Sequence, residues 1–179
     1  MEKNGPLIPN NAVVLLVGVA GSGKSTLAKR AFGNSALIVS SDECRKEISG
    51  SEENQNVNKE AFELFYKKIE EGVSSSKQVI ADATNLDKFS RERIYEIAKK
   101  NNAPVYAIVF NYPIELIKKQ NRNRNRVVQE SVLDRMFEKM RIAYDQIREE
   151  LPKENIIDII PSKEQMEDLK KQDKGEGRE

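Results

Sequence analysis

Gly21, Ser22, Gly23, Lys24, Ser25 and Thr26 close the run GVAGSGKST (18–26), which fits G-x-x-x-x-G-K-[ST]. Glycines at these places let backbone wrap around phosphates, and a helix opening at Lys24 offers free N–H groups to the anion. Lys24 would then reach the β- and γ-phosphates, and the Ser25 hydroxyl would bind Mg²⁺. The apolar run before the loop and the GKST ending together make ATP or GTP the expected ligand.

Two carboxylates are candidates for the same place. Asp82 ends the apolar run in VIADATN (79–85) and can stand beside Ser25, one hydrogen bond back from the magnesium. The next residue is Ala83, so this strand offers no glutamate to activate water. That favours transfer to an acceptor over hydrolysis. Asp42 lies in LIVSSDECR (37–45), three residues before Arg45, which puts both on one face if a helix follows. Taken alone, the pair also fits an N-cap aspartate and a solvent-facing arginine. If the strand at 36–41 lies next to the P-loop strand, its end opens on the γ-phosphate. Asp42 is then a general base for an alcohol, and Arg45 a fork for a neighbouring acceptor phosphate.

The third anion-facing element is NRNRNR (121–126); from Pro113 to Arg126 there are five cations and one acid. Arg122 and Arg126, spaced i, i+4, are read as catalytic and ATP-binding, neutralising charge on the transferring group, with Arg124 solvated. The intervening asparagines predict a bend or lid hinge, with the lid at about 113–130.

The elements that must position these groups alternate. Apolar runs at 12–19, 36–41, 78–84, 105–111 and 155–160 read as strands, and the segments 24–32, 57–72, 89–101, 114–124 and 131–150 as helices. That alternation predicts an α/β fold with a mainly parallel five-stranded sheet. The charged segment 162–179 holds two large apolar residues and is expected to be poorly ordered, leaving 1–161 as the domain.

Composition narrows the chemistry. With 38% hydrophobic residues in a 179-residue chain, one domain can bury a core. No histidine is present and Cys44 is the single cysteine, which excludes histidine bases, histidine-ligated metals and internal disulfides. A net charge of +1 means that any polyanion site must be local. The start lacks the apolar core of a signal peptide, and no run reaches about eighteen apolar residues. A cytoplasmic location without membrane contact is expected.

Taken together, GVAGSGKST, SSDECR, DATN and FNYPIELIKKQNRNRNRVV resemble the polynucleotide 5′-kinase family, particularly the kinase module of bacterial polynucleotide kinase-phosphatase RNA-repair enzymes. The resemblance spans about residues 11 to 160. It implies a P-loop phosphotransferase fold like that of adenylate kinase, with ATP and Mg²⁺ as cofactors and a 5′-OH end of RNA or DNA as acceptor. By the same likeness Asp42 is the general base, Arg45 clamps the acceptor's 3′-side phosphate, and Arg122 and Arg126 touch ATP, with Arg124 able to replace Arg122. Phosphatase or ligase partners would sit on another chain or a missing domain. A kinase of a small metabolite, nucleoside or antibiotic, or a nucleotide switch that transfers nothing, would use the same loop.

Overall fold

A computed structural model describes residues 7–175. The chain runs β1 (Val13–Val17), α1 (Lys24–Phe32), β2 (Leu37–Ser40), α2 (Ser41–Ser49), α3 (Asn58–Ser74) and β3 (Val79–Asp82). It continues through α4 (Lys88–Lys100), β4 (Val105–Phe110), α5 (Ile114–Arg122), α6 (Glu130–Glu150), β5 (Ile156–Ile159) and α7 (Lys163–Gly175). All strand pairs are parallel, in the order β2-β3-β1-β4-β5. Among the described residues no helix is long and apolar enough to cross a membrane.

Burial on both faces accounts for the continuous apolar run of β1, whose five residues are all fully buried. Val13, Leu15 and Val17 join one core cluster with Phe65 and Ile69 of α3, Ile94 of α4 and Leu133 and Ile147 of α6. Val14 and Leu16 point the other way, to Ala28 of α1 and to Ile80, Ile108 and Phe110. Helices therefore cover both faces. This is the three-layer α/β/α arrangement of a P-loop kinase, and it matches the fold read from the alternating pattern.

Two details differ from the sequence reading. The strand at 37–40 does not adjoin the P-loop strand, because β3 lies between them. Register keeps the strand ends together nonetheless: Asp82 pairs with Ser40 on one side and Leu16 on the other. The carboxyl ends thus open on one crevice, where ligands of such sheets bind.

The expected poorly ordered tail is helical over Lys163–Gly175. The Ser162 and Gln165 side chains close a reciprocal cap, with Gln165 N–H donating to Ser162 Oγ at 3.1 Å and Ser162 N–H to Gln165 Oε1 at 2.9 Å. That capping box satisfies two N–H groups at the helix start, and Met166 and Leu169 are half-buried. Residues 176–179 lie outside the described residues.

Candidate active site

The loop after β1 has the shape its glycines predict. Gly21 and Gly23 hold φ of +84° and +96°, a region open to glycine at no steric cost. A Cβ on Gly18 would stand 2.8 Å from Ser22 Oγ and 3.0 Å from Phe110 Cβ, so the loop is packed close. Lys24 lies inside this loop, its Nζ donating to the Val19 carbonyl at 2.9 Å. Burial lowers its pKa to about 8, and Arg124 adds to the fall, while Asp82 and Asp42 oppose it. Ser25 donates to Asp82 Oδ2 at 2.8 Å, and burial pushes the Asp82 carboxyl up from its ordinary value. Ser25 and Thr26 are exposed. A hydroxyl backed by a carboxylate is a donor set suited to magnesium.

Asp42 is not a helix cap. Ser40 caps α2, accepting from Glu43 N–H at 3.3 Å, and Asp42 stands in the first turn without capping it. Nor does Arg45 face solvent: it is 7% exposed. Its Nη1 pairs with Asp42 Oδ1, its Nε donates to Asn58 Oδ1 at 2.8 Å, and Nη1 also approaches the Glu52 carbonyl at 3.5 Å. Arg126 reaches the same carboxylate, Nη1 to Asp42 Oδ1 at 3.5 Å, and approaches Glu53 at 3.8 Å. Asp42 therefore stands between two guanidiniums while its charge bears on Lys24.

The arginine run divides differently from the i, i+4 reading. Helix α5 ends at Arg122, so the spacing rule stops there. Arg122 turns outward to Glu130 at 3.1 Å with its side chain 64% exposed. Arg124 packs on the P-loop, its Cδ 3.4 Å and Nη1 3.5 Å from where a Gly21 Cβ would stand. The structure thus brings Arg124 to the P-loop and Arg126 to Asp42, and leaves Arg122 outside. Among the described residues, Arg124 Nη1 and Ser22 Oγ are buried without a hydrogen-bond partner. Such groups are costly unless something pairs with them, and here they flank a loop built for an anion. The residues present fit a nucleoside triphosphate.

A family model of the AAA domain, AAA_33, matches residues 13–147. This chain belongs to the AAA_33 family. Within reach of the AAA_33 chain stands an L-seryl-tRNA(Sec) kinase of Methanococcus maripaludis, 28% identical over 132 residues, 71% of this chain and 51% of the relative. A protein of Acanthamoeba polyphaga mimivirus described as a bifunctional polynucleotide phosphatase/kinase is 30% identical over 115 residues, 63% of this chain and 24% of the relative. The chain thus spans about half or less of the curated relatives it matches. Among solved structures, the Pnkp1/Rnl/Hen1 RNA repair complex superposes with a TM-score of 0.67 at 18% identity, over 82% of this chain and 48% of that one. The relatives include the kinase family that the motifs resemble.

Several residues that shape the site in this AAA_33 chain carry no local sequence signal. Asn85 is buried at a φ of +50°, and its Nδ2 donates to the Leu16 carbonyl at 2.7 Å and the Ala81 carbonyl at 3.1 Å. It ties β1 to β3 just beyond Asp82. Arg91, fully buried, holds the Asn85 carbonyl at 3.2 Å, Gln146 at 2.6 Å and Glu150 at 2.9 Å. Asn58 fixes Arg45. Side-chain amides bonded to distant backbone leave no periodic trace; only the Asn of DATN stood inside a quoted motif.

Proposed function

We propose that this protein is a polynucleotide 5′-hydroxyl kinase that transfers the γ-phosphate of ATP to the 5′-OH end of RNA or DNA. One observation carries the reading: a carboxylate, Asp42, opens α2 directly after β2, whose last residue Ser40 pairs in register with Asp82, the partner of Ser25, with Arg45 and Arg126 on either side. An alcohol is a poor nucleophile until a base takes its proton, and a carboxylate in reach of the hydroxyl does so as the new bond forms.

In this reading the P-loop amides and Lys24 hold the donor phosphates, and Ser25, backed by Asp82, binds magnesium. Magnesium supplies positive charge to the phosphate oxygens when bound. Asp42 accepts the acceptor's proton as the oxygen–phosphorus bond forms and the bond to the departing diphosphate breaks. Arg124 and Arg126 neutralise charge on the transferring group, with Arg124 taking the place first given to Arg122. Arg45, pinned through Nε by Asn58, grips the acceptor's neighbouring phosphate. The mimivirus relative's described polynucleotide activity supports the acceptor class. A phosphatase or ligase completing the repair reaction would belong to another chain or domain.

A second reading, a small-molecule or nucleoside kinase, is favoured by the rim beside Asp42. Residues 41–53 carry five carboxylates against Arg45 and Lys46, a field unfavourable to a long polyanion. Transfer of label from γ-labelled ATP to a 5′-OH oligonucleotide, beside a panel of nucleosides and small alcohols, separates them. Label on the oligonucleotide supports the first reading; label on small alcohols alone overturns it.

A further inference from the structure

We infer that Asn121 is a positioning residue that holds the arginine loop in one preformed shape, with Arg124 resting on the P-loop. The inference rests on the reading that Arg124 meets the donor phosphates.

Asn121 closes the last turn of α5 and is 1% exposed. Its Nδ2 donates to the Val128 carbonyl at 2.7 Å, and its Oδ1 accepts from the Val128 N–H at 2.9 Å. One side chain therefore mimics a strand partner for one residue, and joins the two ends of the loop 122–127. Its own carbonyl accepts from Arg124 N–H at 3.1 Å, so the residue that closes the loop also fixes the backbone of the arginine. Asn121 Cα lies 3.8 Å from where a Gly21 Cβ would stand, beside the Arg124 side chain. The staple and the guanidinium thus rest on the same glycine.

Few side chains can do this. The task needs a donor and an acceptor on one short planar group; aspartate lacks the donor, and glutamine adds a methylene to a fully packed site. Removing the amide leaves both Val128 backbone groups without their partner, a penalty larger than the net value of the bonds themselves. Bending the loop so as to lift Arg124 off the P-loop would break the bond from its N–H to the Asn121 carbonyl. Arg124 therefore waits in place, its buried Nη1 still unpaired, for an anion to complete it. The ordering of this cation precedes binding, which is how preorganisation raises affinity.

The test is a double-mutant cycle on binding of a nonhydrolysable ATP analogue with Mg²⁺, read by calorimetry, with melting temperature followed in parallel. Asn121→Ala is expected to weaken binding about tenfold, the scale of lost buried hydrogen bonds. Arg124→Ala is expected to do the same, and the double variant to bind no worse than Arg124→Ala alone, because Asn121 acts through Arg124. If Asn121→Ala fails to fold, Asn121→Asp, which keeps the acceptor and removes the donor, takes its place in the cycle. Unchanged binding by the Asn121 variant while Arg124→Ala weakens it overturns the staple alone, as does a double loss equal to the product of the single losses. Unchanged binding by Arg124→Ala removes the underlying reading of the arginine, and the inference falls with it.

Discussion

Arg126, at the far end of the arginine loop, meets Asp42 on the first turn of α2, Nη1 to Oδ1 at 3.5 Å. The loop that rests on the P-loop at Gly21 therefore also touches the first turn of α2. In the proposed mechanism this one segment would serve both donor and acceptor, whereas Arg122 in the same segment faces Glu130 at the surface. Arg126→Ala is expected to lower the turnover number on an oligonucleotide acceptor roughly 100-fold, the scale for one positioned donor at developing charge. Arg122→Ala should stay within about twofold, since exposed ion pairs contribute little. Steady-state kinetics on the two variants check the division.

Arg45 should govern acceptor choice. Its guanidinium is buried and oriented by Asn58, as a fork for a phosphate must be. Arg45→Ala is expected to reduce kcat/KM on a nucleoside 3′-phosphate at least tenfold more than on the bare nucleoside, since a hydrogen bond to a charged group contributes about 1.5–3 kcal/mol. Equal losses on both acceptors would remove the clamp.

Nucleotide affinity should be pH-dependent through Lys24. Burial sets its pKa at about 8 in the free protein, so the ammonium charge fades as pH rises past that value. Phosphates favour the charged amine, so binding takes up a proton above pH 8, and affinity for a nonhydrolysable analogue falls by up to about tenfold per pH unit. Lys24→Arg keeps its charge throughout and should flatten that profile between pH 8 and 9.5, measured by titration calorimetry. A wild-type profile that is level across this window would contradict the assignment.

Stability should depend strongly on Arg91. It is fully buried among Asn85, Gln146 and Glu150. Arg91→Ala leaves Glu150 as a nearly buried, unpaired carboxylate and should cost about 3–5 kcal/mol. A melting temperature lower by roughly 10 °C is the expected readout. Arg91→Met with Glu150→Leu removes both charges and should recover much of that loss.

Much of this arrangement is legible in the chain. The buried strands, the P-loop and Asp42 with Arg45 follow from apolar runs and local spacing, because those signals are local; Asp82 is legible as the acid that ends an apolar run, although its bond to Ser25 spans 57 residues. What is not legible is set by tertiary contact. Nothing in LIVS (37–40) says that β3 lies between it and the P-loop strand. The i, i+4 rule misplaces Arg122 because α5 ends there, and what shapes the following loop is the bond of Asn121 to Val128, seven residues on. The capping box at Ser162 and Gln165 is a local signal, and it marks α7 inside a tail whose composition argues for disorder.

In the proposed mechanism Asp42 takes the acceptor's proton. Single-turnover transfer from γ-labelled ATP to a 5′-OH oligonucleotide, by wild type and Asp42→Asn at matched nucleotide occupancy, tests it most directly. Labelled oligonucleotide is expected with wild type and a loss of at least roughly 100-fold with Asp42→Asn, at nearly unchanged nucleotide affinity. Equal transfer by the two proteins would contradict it.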